Sequence, residues 1–167
     1  MTSNPLENPF YYLHNFQQVL NWLELRYADV LRDEEQRFIT DFAQLPQPSQ
    51  ALLVRMVMRK GRHFRLGKLR YPEIGDSARA LGPLLALGWV DEQAPLALDE
   101  LFGLLQKAEI LQCFSDQGLV AKAKKNQWLE ALQALYPQPR AFGQWCPALA
   151  DRLLSLTVMP LCDRLRL

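Results

Sequence analysis

Cysteine is scarce in this 167-residue chain, and the little present cannot form a framework. Cys113, Cys146 and Cys162 are odd in number, widely spaced and without a CxxC pair. This excludes a disulfide scaffold and a zinc knuckle, and leaves reduced, buried thiols of the cytosolic kind. Histidine is scarcer still, with only His14 and His63, far apart. No P-loop and no GxGxxG occurs, so no nucleotide cradle is indicated. No apolar run approaches the ~20 residues of a membrane span. The opening MTSNPLENP lacks the charged and apolar regions of a signal peptide. Together these point to a cytoplasmic protein without a membrane partner. There is also no excess of charge: the net value is +1, so only the placement of charges can speak about partners. Repeats and low-complexity segments are absent.

What is present is helical periodicity. A chain of this length buries roughly 70% of its unfolded surface, as one domain or two small ones. From Phe10, apolar residues recur every three or four positions through Leu31, and the aromatic ones, Phe16, Trp22 and Tyr27 among them, read as core. Asp33 to Phe42 reads as a second helix, capped by Asp33, with acids in its first turn where the dipole favours them. Pro46 and Pro48 break the chain. Ser49 is then the expected N-cap of a helix through Met58, with Gly61 as its stop.

The stretch from Ser49 to Asp91 organises the rest. After the apolar helix, Arg59, Lys60, Arg62, Arg65, Lys68 and Arg70 fall within twelve residues with no acid among them. Six cations without a counter-charge suggest a surface for a polyanion. Phe64 to Leu66 alternates like a short strand, and Trp89-Val90 like another. Between them a helix runs from Ala78 to Leu87, capped by Asp76 or Ser77 and ended by Gly88. Pro83 inside it suggests a later start, since an interior proline costs ~3 kcal/mol. Helix, basic turn, helix and short strand is the order of a winged helix.

Beyond Pro95, helices are expected at 99–106, 107–116 and 126–135, with Asp99 as a cap. Lysines just before the third helix, with its free backbone N–H groups, make a phosphate site. Phe142 to Leu167 reads as another apolar helical region. Its ending, CDRLRL, has no polar tail, so the chain is expected to be a piece of something longer. The expected segments are N-terminal helices (1–45), a winged-helix-like module (46–95), a further helical segment (96–137) and the start of another helical region (138–167). The fold class is mainly α with a minor β-wing.

MRKGRHFRLGKLRYPEIGD with LGWVD after it, YYLHNFQQVLNWLELRYADVL before it and LALDELFGLLQKAEILQCF beyond it resemble the N-terminal region of the Fanconi-associated nuclease family in its bacterial form. The resemblance runs from about Pro9 to Leu135. It implies the DNA-binding part of a structure-specific DNA-repair nuclease acting on five-prime flaps and branched DNA. The segment 96–137 also resembles the helix–extended–helix SAP module, matched by Gly118, Leu119, Lys122, Lys124, Lys125 and Trp128. On this reading the DNA-binding residues are Arg59, Lys60, Arg62, His63, Arg65, Lys68 and Arg70 on one arm. Lys122, Lys124, Lys125 and Gln127 hold another, on a separate module. Trp128 and Leu119 are core.

The family's catalysis implies Mg²⁺ or Mn²⁺ held by converging carboxylates and a lysine. No Pro-Asp turn and no acid-x-Lys strand occurs here, so neither catalytic nor metal residues are assigned. Catalysis is expected in the rest of the nuclease polypeptide, the second expected partner beside DNA. The competing reading is a winged-helix module that docks another protein without touching DNA. An independent small enzyme ranks last for want of a site.

Overall fold

The computed structural model describes residues 8–165 and 167. Among them are nine α-helices and five short strands, with helix dominant. Contacts divide the chain into two compact units that interleave along the sequence. Of the described residues, unit 1 comprises 8–62, 69–90, 156–165 and 167; unit 2 comprises 63–68 and 91–155.

Unit 1 is helical. α1 (Tyr11–Tyr27) and α3 (Gln47–Val57) pack together, α3 packs on α4 (Ser77–Ala86), and α2 (Asp33–Gln44) lies on α1. The apolar run expected from Ser49 is buried through Met56, where Ala51, Leu52, Leu53, Val54 and Met56 show almost no surface, whereas Met58 at its end is exposed. Phe16 of α1 and Phe42 of α2 pack with tilted rings 5.1 Å apart, and Phe38 packs against Trp89. α9 (Met159–Leu165) belongs to this unit as well, and its Arg164 pairs with Glu34 and Glu35 at the start of α2.

Helix starts differ from expectation where a backbone partner replaces the expected side-chain cap. α3 begins two residues earlier than Ser49, at Gln47, with Pro46 as N-cap and Pro48 in the first turn, where a missing N–H costs nothing. Ser49 instead donates to the Ala80 carbonyl at 2.8 Å and ties α3 to α4. The N-cap of α2 is Arg32, not Asp33, and Glu35 accepts from its N–H. In α5 (Leu98–Leu104) the cap is Ala97, not Asp99, with Glu100 accepting in the same way. Asp76 does cap α4, accepting from the Arg79 N–H at 3.2 Å. Pro83 sits inside α4, which does not start late. Its removed hydrogen bond falls on the carbonyl of the exposed Arg79. Gly88 follows α4 with φ +74°, the left-handed stop.

The α1 stripe is only partly core. Leu13, Phe16 and Leu20 are buried, but Trp22 is 48% exposed and Leu25 85%. The two face away from the buried residues, so the helix carries apolar residues on both sides.

Unit 2 has its own core, built from Leu96, Leu101, Phe102, Ile110, Phe114, Trp128, Leu132, Phe142 and Trp145, among others. α5 packs on α7 (Lys125–Gln133), and α6 (Lys107–Cys113) supplies Ile110. The segment before α7, expected to be extended, opens at Gly118 with φ +64° and is instead a turn, in which the Ala123 N–H donates to the Val120 carbonyl at 3.0 Å. β3 (Pro95–Leu96) and β4 (Arg140–Ala141) form a two-stranded ladder beside the short α8 (Phe142–Trp145).

β1 (His63–Arg65), β2 (Val90–Asp91) and β5 (Leu153–Leu156) form a three-stranded sheet in the order β1-β5-β2. β1 and β2 lie where strands were expected. β5 corrects the expectation of a continuous helical region after residue 138. It is the central strand, antiparallel to β1 with His63 opposite Ser155 and Arg65 opposite Leu153. All four of its residues are buried, so Leu-Leu-Ser-Leu has no polar face to betray a period of two. Burial raises the thiol pKa of Cys113, Cys146 and Cys162, the last to about 12, and all three are free.

Candidate nucleic-acid interface

The first basic cluster is divided by the architecture. Arg59, Lys60, Arg62 and Arg70 belong to unit 1, and His63, Arg65 and Lys68 to unit 2. The last three therefore share a unit with Lys122, Lys124, Lys125 and Gln127, so the two expected clusters are not confined to separate modules.

Within unit 1, Arg59, Lys60, Arg62 and Arg70 are exposed on the turn after α3 and the segment before α4. Arg59 reaches the Tyr71 hydroxyl at 3.5 Å. Arg55, one turn earlier, is held inward. Its guanidinium lies between the Tyr12 ring at 4.1 Å and the Tyr71 ring at 4.6 Å and pairs with Glu73 at 3.2 Å.

Within unit 2, two residues of the expected set are structural. The Arg65 side chain is only 9% exposed. It donates twice to Glu109 at 2.7 Å, once to Asp151 at 2.9 Å and once to the Leu104 carbonyl at 3.4 Å. That fork is filled by carboxylates, which corrects its assignment as a phosphate contact. The pairing holds the Glu109 carboxyl down at about 2, chiefly through the Arg65 hydrogen bond. Asp151 also accepts from the Gly67 N–H at 3.0 Å, and a Cβ on Gly67 would stand 3.2 Å from its oxygens, a tight contact that the carboxylate would have to shift to relieve. His63 is likewise turned inward, with Ser155 Oγ at 2.7 Å and Glu100 at 2.9 Å on its two ring nitrogens. The absence of acids near these cations in sequence was misleading, because the acids arrive from residues 100, 109 and 151.

Of the expected cations in unit 2, Lys68, Lys122 and Lys124 are exposed. Lys125 is half-buried and donates to the Phe102 carbonyl at 2.8 Å, anchoring the start of α7. Gln127 accepts from the Lys124 N–H at 3.2 Å and closes the first turn of that helix. Trp128 is 2% exposed, with its indole N–H donating to the Val120 carbonyl at 2.9 Å. Leu119 packs half-buried against the same core, so both are core residues as expected. Two cations escaped the sequence reading. Lys107 lies over the Trp128 ring at 4.9 Å and donates to the Ala123 carbonyl at 2.7 Å. Arg140 lies over Tyr136 and Trp145, 5.1 Å from each. Neither sits in a basic run, so nothing local marks them.

Among the described residues no group of three or more His, Cys, Asp or Glu could hold a metal ion. The residues here therefore do not fit a divalent-metal centre. No described helix is long and apolar enough to cross a membrane.

A helix-turn-helix region followed by a SAP region is the class these elements define. Residues 10–91 match the family model described as "FAN1, HTH domain", and residues 95–145 the one described as "Fanconi anemia-associated nuclease SAP domain". The chain belongs to the Fanconi-associated nuclease family. It is 55% identical over 167 residues to the Fanconi-associated nuclease 1 homolog of Pseudomonas aeruginosa, covering all of this chain and 30% of that protein. It is 32% identical over 134 residues to the Fanconi-associated nuclease 1 of Ailuropoda melanoleuca, covering 77% of this chain and 13% of that protein. The crystal structure of paFAN1 bound to 2nt 5′ flap DNA with gap superposes with a TM-score of 0.91 at 56% identity. That match covers 95% of this chain and 29% of the solved one. The chain thus spans less than a third of the length of these relatives.

Proposed function

We propose that this chain is a structure-specific DNA-binding region, gripping five-prime flap or branched DNA for a metal-dependent repair nuclease whose catalytic residues lie outside it. The observation that carries the reading is the row of exposed lysines at the entry to α7, set on a rigid core and next to the first free N–H groups of that helix. The likeness to a paFAN1 structure bound to flap DNA supports the same reading. Lysine side chains meet phosphates as point charges, so the region reads backbone and shape rather than base sequence. Arg59, Lys60, Arg62 and Arg70 serve a second stretch of backbone. The setting is the cytoplasm of a bacterium, and Mg²⁺ or Mn²⁺ is needed only by the remainder of the nuclease.

The test is anisotropy of labelled flap DNA titrated at several salt concentrations. Each phosphate contact adds about −0.9 to the slope of log K against log salt. The double variant Lys122→Ala/Lys124→Ala is expected to flatten the slope by up to ~1.8, whatever the base sequence. An unchanged slope makes these lysines mere solvated surface. In a second assay, the chain incubated with flap DNA and Mg²⁺ or Mn²⁺ is expected to leave the DNA uncut. Cleavage that persists through repurification would mean a catalytic site in these 167 residues.

A protein-docking role is the second reading, favoured by the outward apolar face of α1 at Trp22 and Leu25. A wild-type chain with no affinity for flap DNA would turn the assignment to it.

A further inference from the structure

We infer that Lys107 is a phosphate-contacting residue of the same DNA site, acting with Lys122 and Lys124 as one preset cationic cluster; the inference rests on the DNA-binding reading above.

Lys107 is exposed on the first turn of α6, more than a dozen residues before the lysines it joins. Two contacts fix its ammonium. The Ala123 carbonyl, which accepts from it at 2.7 Å, lies in the backbone between Lys122 and Lys124. The face of the Trp128 ring lies 4.9 Å beneath the charge. An ammonium carries three N–H groups, and Ala123 takes one. The others remain for an oxyanion. A free lysine loses side-chain entropy when it is immobilised. Lys107 has already met part of that cost in the fold, so it is better prepared for a phosphate than its two neighbours.

The acid on the same turn does not cancel it. Glu109 is engaged by Arg65 through two hydrogen bonds at 2.7 Å. The same pair locks the first turn of α6 to β1, and Asp151 holds the turn that carries Lys68. Lys68 stands near enough to Glu109 to help lower its pKa. Arg65 therefore acts as a positioning residue, and it keeps the Glu109 and Asp151 carboxylates engaged.

The test uses Lys107→Gln and Lys107→Arg in the 167-residue chain. Glutamine keeps a stem over Trp128 and an N–H for Ala123 but has no charge. It is expected to weaken flap binding several-fold at 0.1 M salt and to flatten the salt slope by up to ~0.9, with an unchanged melting temperature. Arginine is expected to restore the slope. In the Lys122→Ala/Lys124→Ala background the Gln effect should shrink, since neighbours sharing one phosphate do not add. A wild-type slope in the Gln variant overturns the inference and leaves the DNA-binding reading intact. Equal losses in both variants with a lowered melting temperature also overturn it, by making Lys107 purely structural. A wild-type chain that binds no flap DNA overturns both.

Discussion

Arg65→Ala is expected to destabilise the chain by roughly 2–4 kcal/mol, the lower range reflecting carboxylates that keep some solvent contact. The arginine is the shared partner of Glu109 and Asp151, whose side chains are themselves mostly buried. Removing it takes from Glu109 and Asp151 the guanidinium that bridges them. Arg65→Lys is expected to recover only part of the loss, because one ammonium cannot reproduce a fork that reaches Glu109 twice and Asp151 once. Urea unfolding at neutral pH measures both. The dependence on pH carries a fixed sign. Glu109 titrates at about 2 in the folded chain against an ordinary 4.5, so folding favours its ionised form. The stabilisation is complete above about 4.5 and fades as pH falls towards 2. Wild-type stability should therefore drop across that window. The gap between wild type and Arg65→Ala should narrow with it. A variant as stable as wild type at pH 7 would return Arg65 to the pool of phosphate contacts.

That pairing also marks the limit of what the amino-acid order discloses. Helices whose apolar residues repeat on one face, such as α2 and α3, and the helices α5, α6 and α7 were legible within a few residues. The burial of Trp128 followed from the resemblance to the SAP module. The basic run from Arg59 to Arg70 was legible as a run, but not as two kinds of residue. Whether a cation is solvated or bridged depends on acids 37 to 86 residues away in the chain. Local order cannot report that. β5 was hidden for a related reason. Its residues are buried on both faces, so the signal of alternation is erased by the very packing that makes it central. Trp22 failed in the opposite sense, since an aromatic at helical spacing indicates a contact and not which molecule supplies it.

Trp128→Ala is expected to cost roughly 3–5 kcal/mol, as for other buried aromatic truncations. The ring is 2% exposed and belongs to the core of unit 2 with Phe102, Ile110, Phe114 and Leu132. Truncation opens a void there and removes the indole N–H that the Val120 carbonyl accepts at 2.9 Å, leaving that oxygen the Ala123 N–H at 3.0 Å. It also removes the surface on which Lys107 rests. Trp128→Phe separates these effects. Phenylalanine fills most of the volume and keeps a ring under Lys107, but has no N–H for Val120. The expected loss is then roughly 1–2 kcal/mol, with DNA affinity close to wild type. Denaturant unfolding followed by flap titration of the folded fraction reads both quantities. If Trp128 stacked on bases instead, the pattern would invert: the alanine variant would fold normally and lose affinity, with each base contact contributing roughly 1–3 kcal/mol. Burial at 2% leaves no ring face for a base, so the stability loss is the expected result.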